Sequence, residues 1–566
     1  MGERTAETMT ASVMKTLVSV YYRVEKGGYN PAYLVRGALM TLSYIHGAAV
    51  LLLAALVSVP AAAQTATTAP PARTIPRTAE GRPDLEGIWQ VRNRAAVDLE
   101  DHMARAGMPA GRSVVEGGTI PYQPWAAEKK RENFANRATA DPLARCYMAG
   151  VPRMMYMDTP FQIFQTRDAI GIAFEWNLHY RLIHTNGSRH VDGIQFWLGD
   201  SRGRWEGDTL VVDVANHNDR TWFDMAGNFH SDALRVVERY TMLDANTIQY
   251  QATIEDSKVF TRPWTITMPF HRQTDRARVL EYNCQAEKEE ANGDFEREQR
   301  TWYMPGQAPG AAPAAAARPS TALSTALSTA NLPDLSGFYQ ADHGGGNWGI
   351  EFHAARPGMP PGRGILIDPK DGVLPYQPWG RAERQSRDAI GRGYDDPTAH
   401  CFVSAGLPRS FYVPSPFHIL QTPTHVVFLH ERMAWRIVSL ASRPFLPDTI
   451  RLWNGDSIGH WEGTTLVVET RNFNGRGWLN EVGDVVSHAE TVVERFVPVD
   501  AKTVRYEATV TDPLVYTRPW TIAIPLNRQP DELLEAACLE DNQDLQSLKD
   551  VRDAERKRLG NTGGPQ

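Results

Sequence analysis

The chain has 566 residues, 42% hydrophobic and 22% charged, a composition that suits a folded protein with room for more than one core. With 59 Lys and Arg against 66 Asp and Glu the formal charge is −7, which excludes a nucleic-acid binder relying on a broad basic surface. Four cysteines are too few for a disulfide-dense miniprotein, and one short apolar run excludes a multi-span membrane protein.

That run, GAAVLLLAALV from Gly47 to Val57, falls short of the about 20 apolar residues that a spanning helix needs. It matches a signal-peptide core: Lys15, Arg23, Lys26 and Arg36 precede it, and Ala61-Ala62-Ala63 ends it with a small-residue cleavage site. Residues 1–63 therefore read as leader and signal peptide. The mature protein is expected to be exported, periplasmic or secreted, with no membrane anchor after cleavage. A buried N-terminal helix is the alternative.

The rest of the chain is written twice. PDLEGIWQ from Pro83 returns as PDLSGFYQ from Pro333, and PYQPW from Pro121 returns from Pro375. Asp141-Pro142 with Cys146 returns as Asp396-Pro397 with Cys401. PFQIFQT from Pro160, WEGDTLVV from Trp205 and TRPWT from Thr261 all have counterparts in the second half. The domains are read as 83–304 and 333–545, joined by an Ala/Pro/Ser/Thr linker over 305–332 and followed by a charged tail over 546–566.

Within each copy the dominant period is two. Ile248, Tyr250, Ala252 and Ile254 alternate with Gln249, Gln251 and Thr253, and turn pairs such as Asn186-Gly187 and Gly207-Asp208 punctuate the runs. One amphipathic helix per copy follows Pro124, a residue favoured at the first helical position. Many short strands with short turns predict an all-β fold, two tandem antiparallel meander barrels each with a short helix.

The motif set PDLxGxW, PYQPW, DPxxxC, PFQIxQT, WEGDTLVV and YTRPW resembles a largely uncharacterised family of exported bacterial proteins that occur in one or two copies, over residues 83–300 and 333–540. More loosely, the GxW opening and the meander are similar to lipocalin-like (calycin) barrels. The resemblance implies export and a barrel fold, and transfers no activity.

Cys146 and Cys284 occupy the places that Cys401 and Cys538 take in the second copy. Four cysteines allow three pairings, and duplication favours the self-contained one, Cys146–Cys284 with Cys401–Cys538. No C-x-x-C or nearby His pair supports zinc, and no metal or cofactor is expected.

Nucleophile elbows, metalloprotease helices and phosphate loops are absent. The ionisable residues shared by the copies include Glu175, Arg181, Glu238 and Arg262. Glu175, Glu238 and Arg262 fall in apolar strand patterns. There they form either a structural network inside a barrel or a polar cluster at the floor of an apolar pocket. The copies diverge after strand 210–216, where the first has Trp222, Asp224 and His230 and the second has Trp478, Asn480 and Val486. A solvated turn or an acid–base site fits that segment. These residues lead to an expected catalytic set of Glu175, Glu238, His230 and Asp224. The expected ligand-binding set is Arg181, Arg262, Trp222 and Tyr122, with copy one as the active copy. The expected function is acid–base chemistry, of hydratase, isomerase, cyclase or lyase type, on a small hydrophobic or aromatic molecule. The alternative is a non-catalytic protein that binds such a molecule or a carbohydrate. Partners are limited to that small molecule, with no nucleic acid.

Overall fold

The computed structural model describes residues 74–292 and 332–561, apart from 106, 357–358, 389–391, 403–405, 433, 541 and 543. The signal-peptide reading and nearly all of the linker lie outside the described residues. The first barrel is built from β1 (Gly87–Val91), β2 (Phe161–Gln165), β3 (Ala169–Phe174), β4 (Tyr180–His184), β5 (Asp200–Glu206), β6 (Thr209–Ala215), β7 (Arg235–Asp244), β8 (Thr247–Glu255) and β9 (Trp264–Arg272). It closes where β1 pairs with β9. The second contains β10 (Gly337–Ala341), β12 (Phe417–Gln421), β13 (His425–His430), β14 (Ala434–Ser439), β15 (Asp456–Glu462), β16 (Thr465–Arg471), β17 (Thr491–Pro498), β18 (Thr503–Thr511) and β19 (Trp520–Gln529). It closes through β10 and β19, and a short extra strand, β11 (Leu366–Asp368), lies along β19. The helices are α1 (Pro124–Ala140), α2 (Cys284–Asn292), α3 (Pro378–Arg387) and α4 (Asp544–Asn561).

The expected all-β tandem barrel is present, with one departure from the pure meander. Strand direction reverses at each antiparallel pairing, so a closed ring of nine strands needs at least one parallel pair. In the first barrel it lies between β4 and β5, where Ile183 pairs with Ser201 and His184 with Arg202. The second barrel repeats it between β14 and β15, through Val438 and Ser457. Segments 185–199 and 440–455 make the crossovers.

Period-two alternation is obeyed on β8, where Ile248, Tyr250, Ala252 and Ile254 are buried and their neighbours are half-buried. On β2 and β3 every residue is buried. Their outer faces meet the second barrel: Phe164 lies edge-on to His425 at 5.3 Å, and the Trp435 indole donates to the Phe174 carbonyl at 2.8 Å. A side chain on Gly171 would overlap Leu420. Leu420, Leu429, Trp435 and Trp453 thus continue the first barrel's core across the seam. The described residues form one compact unit.

The segments that leave the last strand of each barrel are exchanged. After β9, Arg278 pairs with Asp456 at 2.6 Å, and the Glu281 carboxylate accepts the amides of Trp453 (2.5 Å) and Asn454 (3.2 Å). After β19, Glu532 pairs with Arg202 at 2.9 Å, and Glu535 accepts the amides of Trp197 (2.7 Å) and Leu198 (2.9 Å). Further along, Glu289 meets His400 at 2.6 Å, and Glu540 accepts the Met148 amide at 2.7 Å.

The motif DPxxxC has a local cause. Asp141 accepts the Leu143 amide at 3.0 Å and starts a short 3-10 turn, with Pro142 at its first position. The same carboxylate holds buried Arg153 through two bonds of 2.8 Å. The turn ends at Cys146, which adopts a left-handed φ of 63°. Asp396, Arg409 and Cys401 repeat the arrangement. Disulfides join Cys146 to Cys284 and Cys401 to Cys538, the intracopy pairing favoured by the duplication.

Candidate functional site

Arg181 on β4 and Glu238 on β7 meet at the centre of the first barrel, both buried. Arg181 Nη1 donates to Glu238 Oε1 at 3.0 Å, and Nη2 donates to Oε2. The hydroxyls of Tyr250 (2.7 Å) and Tyr240 (3.1 Å) also donate to Oε1, and Arg181 Nε donates to Ser201 Oγ at 2.9 Å. Three donors meet Oε1 and one meets Oε2, so both oxygens of the buried carboxylate are engaged by the protein. Of the two sequence readings, this is the structural network, and Glu238 presents no free oxygen to a substrate. Both tyrosine hydroxyls are held far above their usual pKa, first by burial and then by the Glu238 charge.

Asp224, Tyr122 and Trp222 come together at one end of that barrel, without the solvated turn that the polar sequence suggested. Asp224 is fully buried and accepts the amides of Leu99 (2.9 Å) and Asn228 (3.2 Å), as well as the Asn228 side-chain amide. Burial, with Asp98 nearby, pushes its pKa up to about 7. Tyr122 donates to Asn228 Oδ1 at 2.9 Å and stacks on Phe229, whose strand bridge with Trp222 closes the loop. The segment is polar because its side chains tie down one another's backbone, which buries them.

His230 is also buried and shares no hydrogen bond with Asp224 among the described residues. Its Nδ1 lies 2.9 Å from the Ser231 carbonyl, which can only accept, so Nδ1 carries the proton. Nε2 then accepts from the Thr221 hydroxyl at 2.7 Å. Burial lowers its pKa, so the ring stays neutral.

Glu175 and Arg262 lie apart from these groups and from each other. Glu175 follows β3 instead of lying within it, and accepts the Leu280 amide (3.1 Å) and Arg276 Nη1 (3.0 Å). It fastens the start of the exchanged segment, and burial raises its pKa. Arg262 lies outside the strands in an exposed bend, where its guanidinium donates to the carbonyl of Pro263 at 3.3 Å. The expected catalytic and binding set is therefore dispersed over four places.

A different site lies between the barrels. A cavity of about 60 Å³ is lined by Met148 and His179 from the first copy and by Phe402, Ser410, His430 and Ala434 from the second. His179 Nδ1, His430 Nε2 and Ser410 Oγ are buried and have no partner among the described residues. His179 is placed by the turn between β3 and β4, in which Asn177 and Leu178 adopt left-handed φ of 52° and 54°. His430 closes β13 and faces Ala434 across the hairpin. Burial lowers the pKa of each histidine to about 3, and Arg436 adds to the effect at His430. Both imidazoles are neutral near pH 7, each with one donor and one acceptor.

Sequence reasoning missed this site because no single copy contains it. The usable signal was the register between the copies: Phe174 corresponds to His430 and His179 to Ala434, at otherwise matched strand ends. The histidines are the residues that do not repeat.

No protein-family model matches the chain, and no curated protein matches its sequence. Among solved structures, the chain is similar to a crystal structure of a protein of unknown function from the DUF3598 family of Nostoc punctiforme. The two share 6% identity over 66% of this chain and 88% of that one, with a TM-score of 0.13. At that score the likeness carries no argument. The tandem-barrel assignment rests on the closed sheets themselves.

Proposed function

We propose that this is an exported small-molecule-binding protein of the family its motifs resemble, with one ligand site between the two barrels. The observation that carries the reading is that His179, His430 and Ser410, from both copies, line one cavity and each keeps a buried polar atom with no partner among the described residues. Buried polar groups are nearly always hydrogen-bonded, so an orphaned set around a space points to a bound molecule. Two disulfides fit an oxidising compartment. Among the described residues no helix is long and apolar enough to cross a membrane.

Binding is favoured over acid–base catalysis for a physical reason. A general acid or base works best with a pKa near the working pH and within reach of substrate. The cavity histidines sit near 3, while Asp224, at about 7, is enclosed by its own hydrogen bonds. Val413, half-buried on the cavity wall, gives the test. Extraction and mass spectrometry of the purified mature protein should find a small molecule that is missing from Val413→Trp with an unchanged Tm. Equal loading of parent and variant would overturn the site.

A further inference from the structure

We infer that the ligand is a small uncharged aromatic molecule carrying one or two hydroxyl or carbonyl groups, of the phenol class; this rests on the inter-barrel reading above. The volume sets the scale. At about 60 Å³ the cavity has room for about four or five water-sized groups, which suits a single ring better than a lipid or an oligosaccharide.

The polar inventory sets the chemistry. Asn177 donates to the Cys146 carbonyl and accepts the Cys284 amide, both at 2.7 Å. Asn283 accepts the Ala286 amide at 2.8 Å, and Ser415 donates to Glu431 at 3.0 Å. Gln285 donates to Glu289, and Thr398 Oγ1 accepts from Arg409 at 3.4 Å. Among the described residues of the wall, the side chains that keep a polar atom without a partner are His179, His430 and Ser410. Each can serve one hydroxyl or carbonyl. A hexose presents five hydroxyls, and most would lose water without gaining a partner.

Charge argues the same way. The charged residues on the wall are Arg432, exposed at the rim, and Glu540, which accepts the Met148 amide. A carboxylate drawn inside would face neutral imidazoles, and a buried ion without a countercharge is very unfavourable. The apolar part of the wall is polarisable: Met148, Phe402, Val413, Leu539 and the Cys401–Cys538 disulfide. Sulfur and aromatic edges favour a ring over an aliphatic chain.

Isothermal titration calorimetry at pH 7.5 with phenol, toluene, benzoate and glucose tests this on the intact mature protein. Phenol is expected to bind at least tenfold more tightly than the other three. His430→Phe should weaken phenol about tenfold, the effect of one hydrogen bond, and leave toluene unchanged. Val413→Trp should abolish phenol binding, with Tm confirming that both variants are folded. Tighter binding of benzoate or glucose, lost in Val413→Trp, would overturn the ligand class and keep the site. Toluene binding as well as phenol, or an unaffected phenol/toluene ratio in His430→Phe, would overturn the role of the orphaned groups. If none of the four probes binds and no molecule co-purifies, the inter-barrel reading itself falls.

Discussion

Arg181 with Glu238 in the first barrel and Arg436 with Glu494 in the second are the same bidentate pair on corresponding strands, each supported by a serine and a tyrosine hydroxyl. At the barrel ends the pairing changes hands. Asp224 holds Asn228 in the first copy, whereas Asn480 holds Asp484 in the second, and Tyr122 or Tyr376 donates to the residue at the later position in either case. A column-by-column comparison sees two substitutions there; the structure keeps one carboxylate–amide pair. The Asp224–Asn480 part of the divergence that singled out copy one is therefore a compensated exchange. The differences that line the proposed site lie where the copies touch, at His179 against Ala434 and Phe174 against His430.

Truncating the shared ion pair should break both barrels alike. Glu238→Ala and Glu494→Ala are each expected to cost about 3–5 kcal/mol in chemical denaturation, because each strands a buried guanidinium. A cost confined to one copy would show that the barrels are not mechanically equivalent.

Acid should act on both copies through their buried histidines, and one substitution isolates the contribution of the second. His430 is buried neutral, with a folded pKa of about 3 against about 6.5 unfolded, so its contribution is fully present above pH 6.5 and is lost as pH falls towards 3. Asp224 and Glu281, both raised to about 7, act in the opposite sense: their contribution is present at low pH and is lost as pH rises from about 4 to 7. The readout is therefore parent against His430→Phe, which installs the residue of the first copy. Below pH 6.5 the parent should lose about 1.4 kcal/mol per pH unit relative to the variant, or roughly 2–3 kcal/mol by pH 4.5. Parallel stability curves would sink the assignment.

The exchanged pair gives the finest comparison. Asp224→Asn and Asn228→Asp should each cost about 1–3 kcal/mol through mismatched donors and acceptors. The double variant recreates the order of the second copy and should recover most of that loss in a double-mutant cycle. Simple additivity would mean that the two positions do not act as a pair.

Strand alternation, the duplicated motifs and the cysteine symmetry made the barrels and disulfides legible, because each depends on local spacing or on repeat correspondence. Burial on both faces of β2 and β3 was not legible, since it comes from the neighbouring barrel. Glu238 was recognised as a charge in an apolar strand, but its engagement by Tyr240 and Tyr250 depends on strand register. Asp224 and His230 read as a wet loop because polar residues that satisfy one another look, in sequence, like polar residues facing water. Arg262 was misplaced by its apolar neighbours. The cavity needed residues about 250 positions apart, one set from each copy.

Parity has a consequence for how the halves hold together. A ring of eight or ten strands closes with every neighbour reversed, and its ends need carry only hairpins. Nine strands oblige each ring to send one connection along the barrel from one rim to the other, and that detour ends with amides unclaimed by the sheet: Trp197 and Leu198 in one ring, Trp453 and Asn454 in the other. Those amides are the handles that Glu535 and Glu281 grasp. Gaining or losing a single strand in either ring would remove the obligation to cross, and with it the grip of the opposite tail, so strand number here is constrained by attachment as much as by closure.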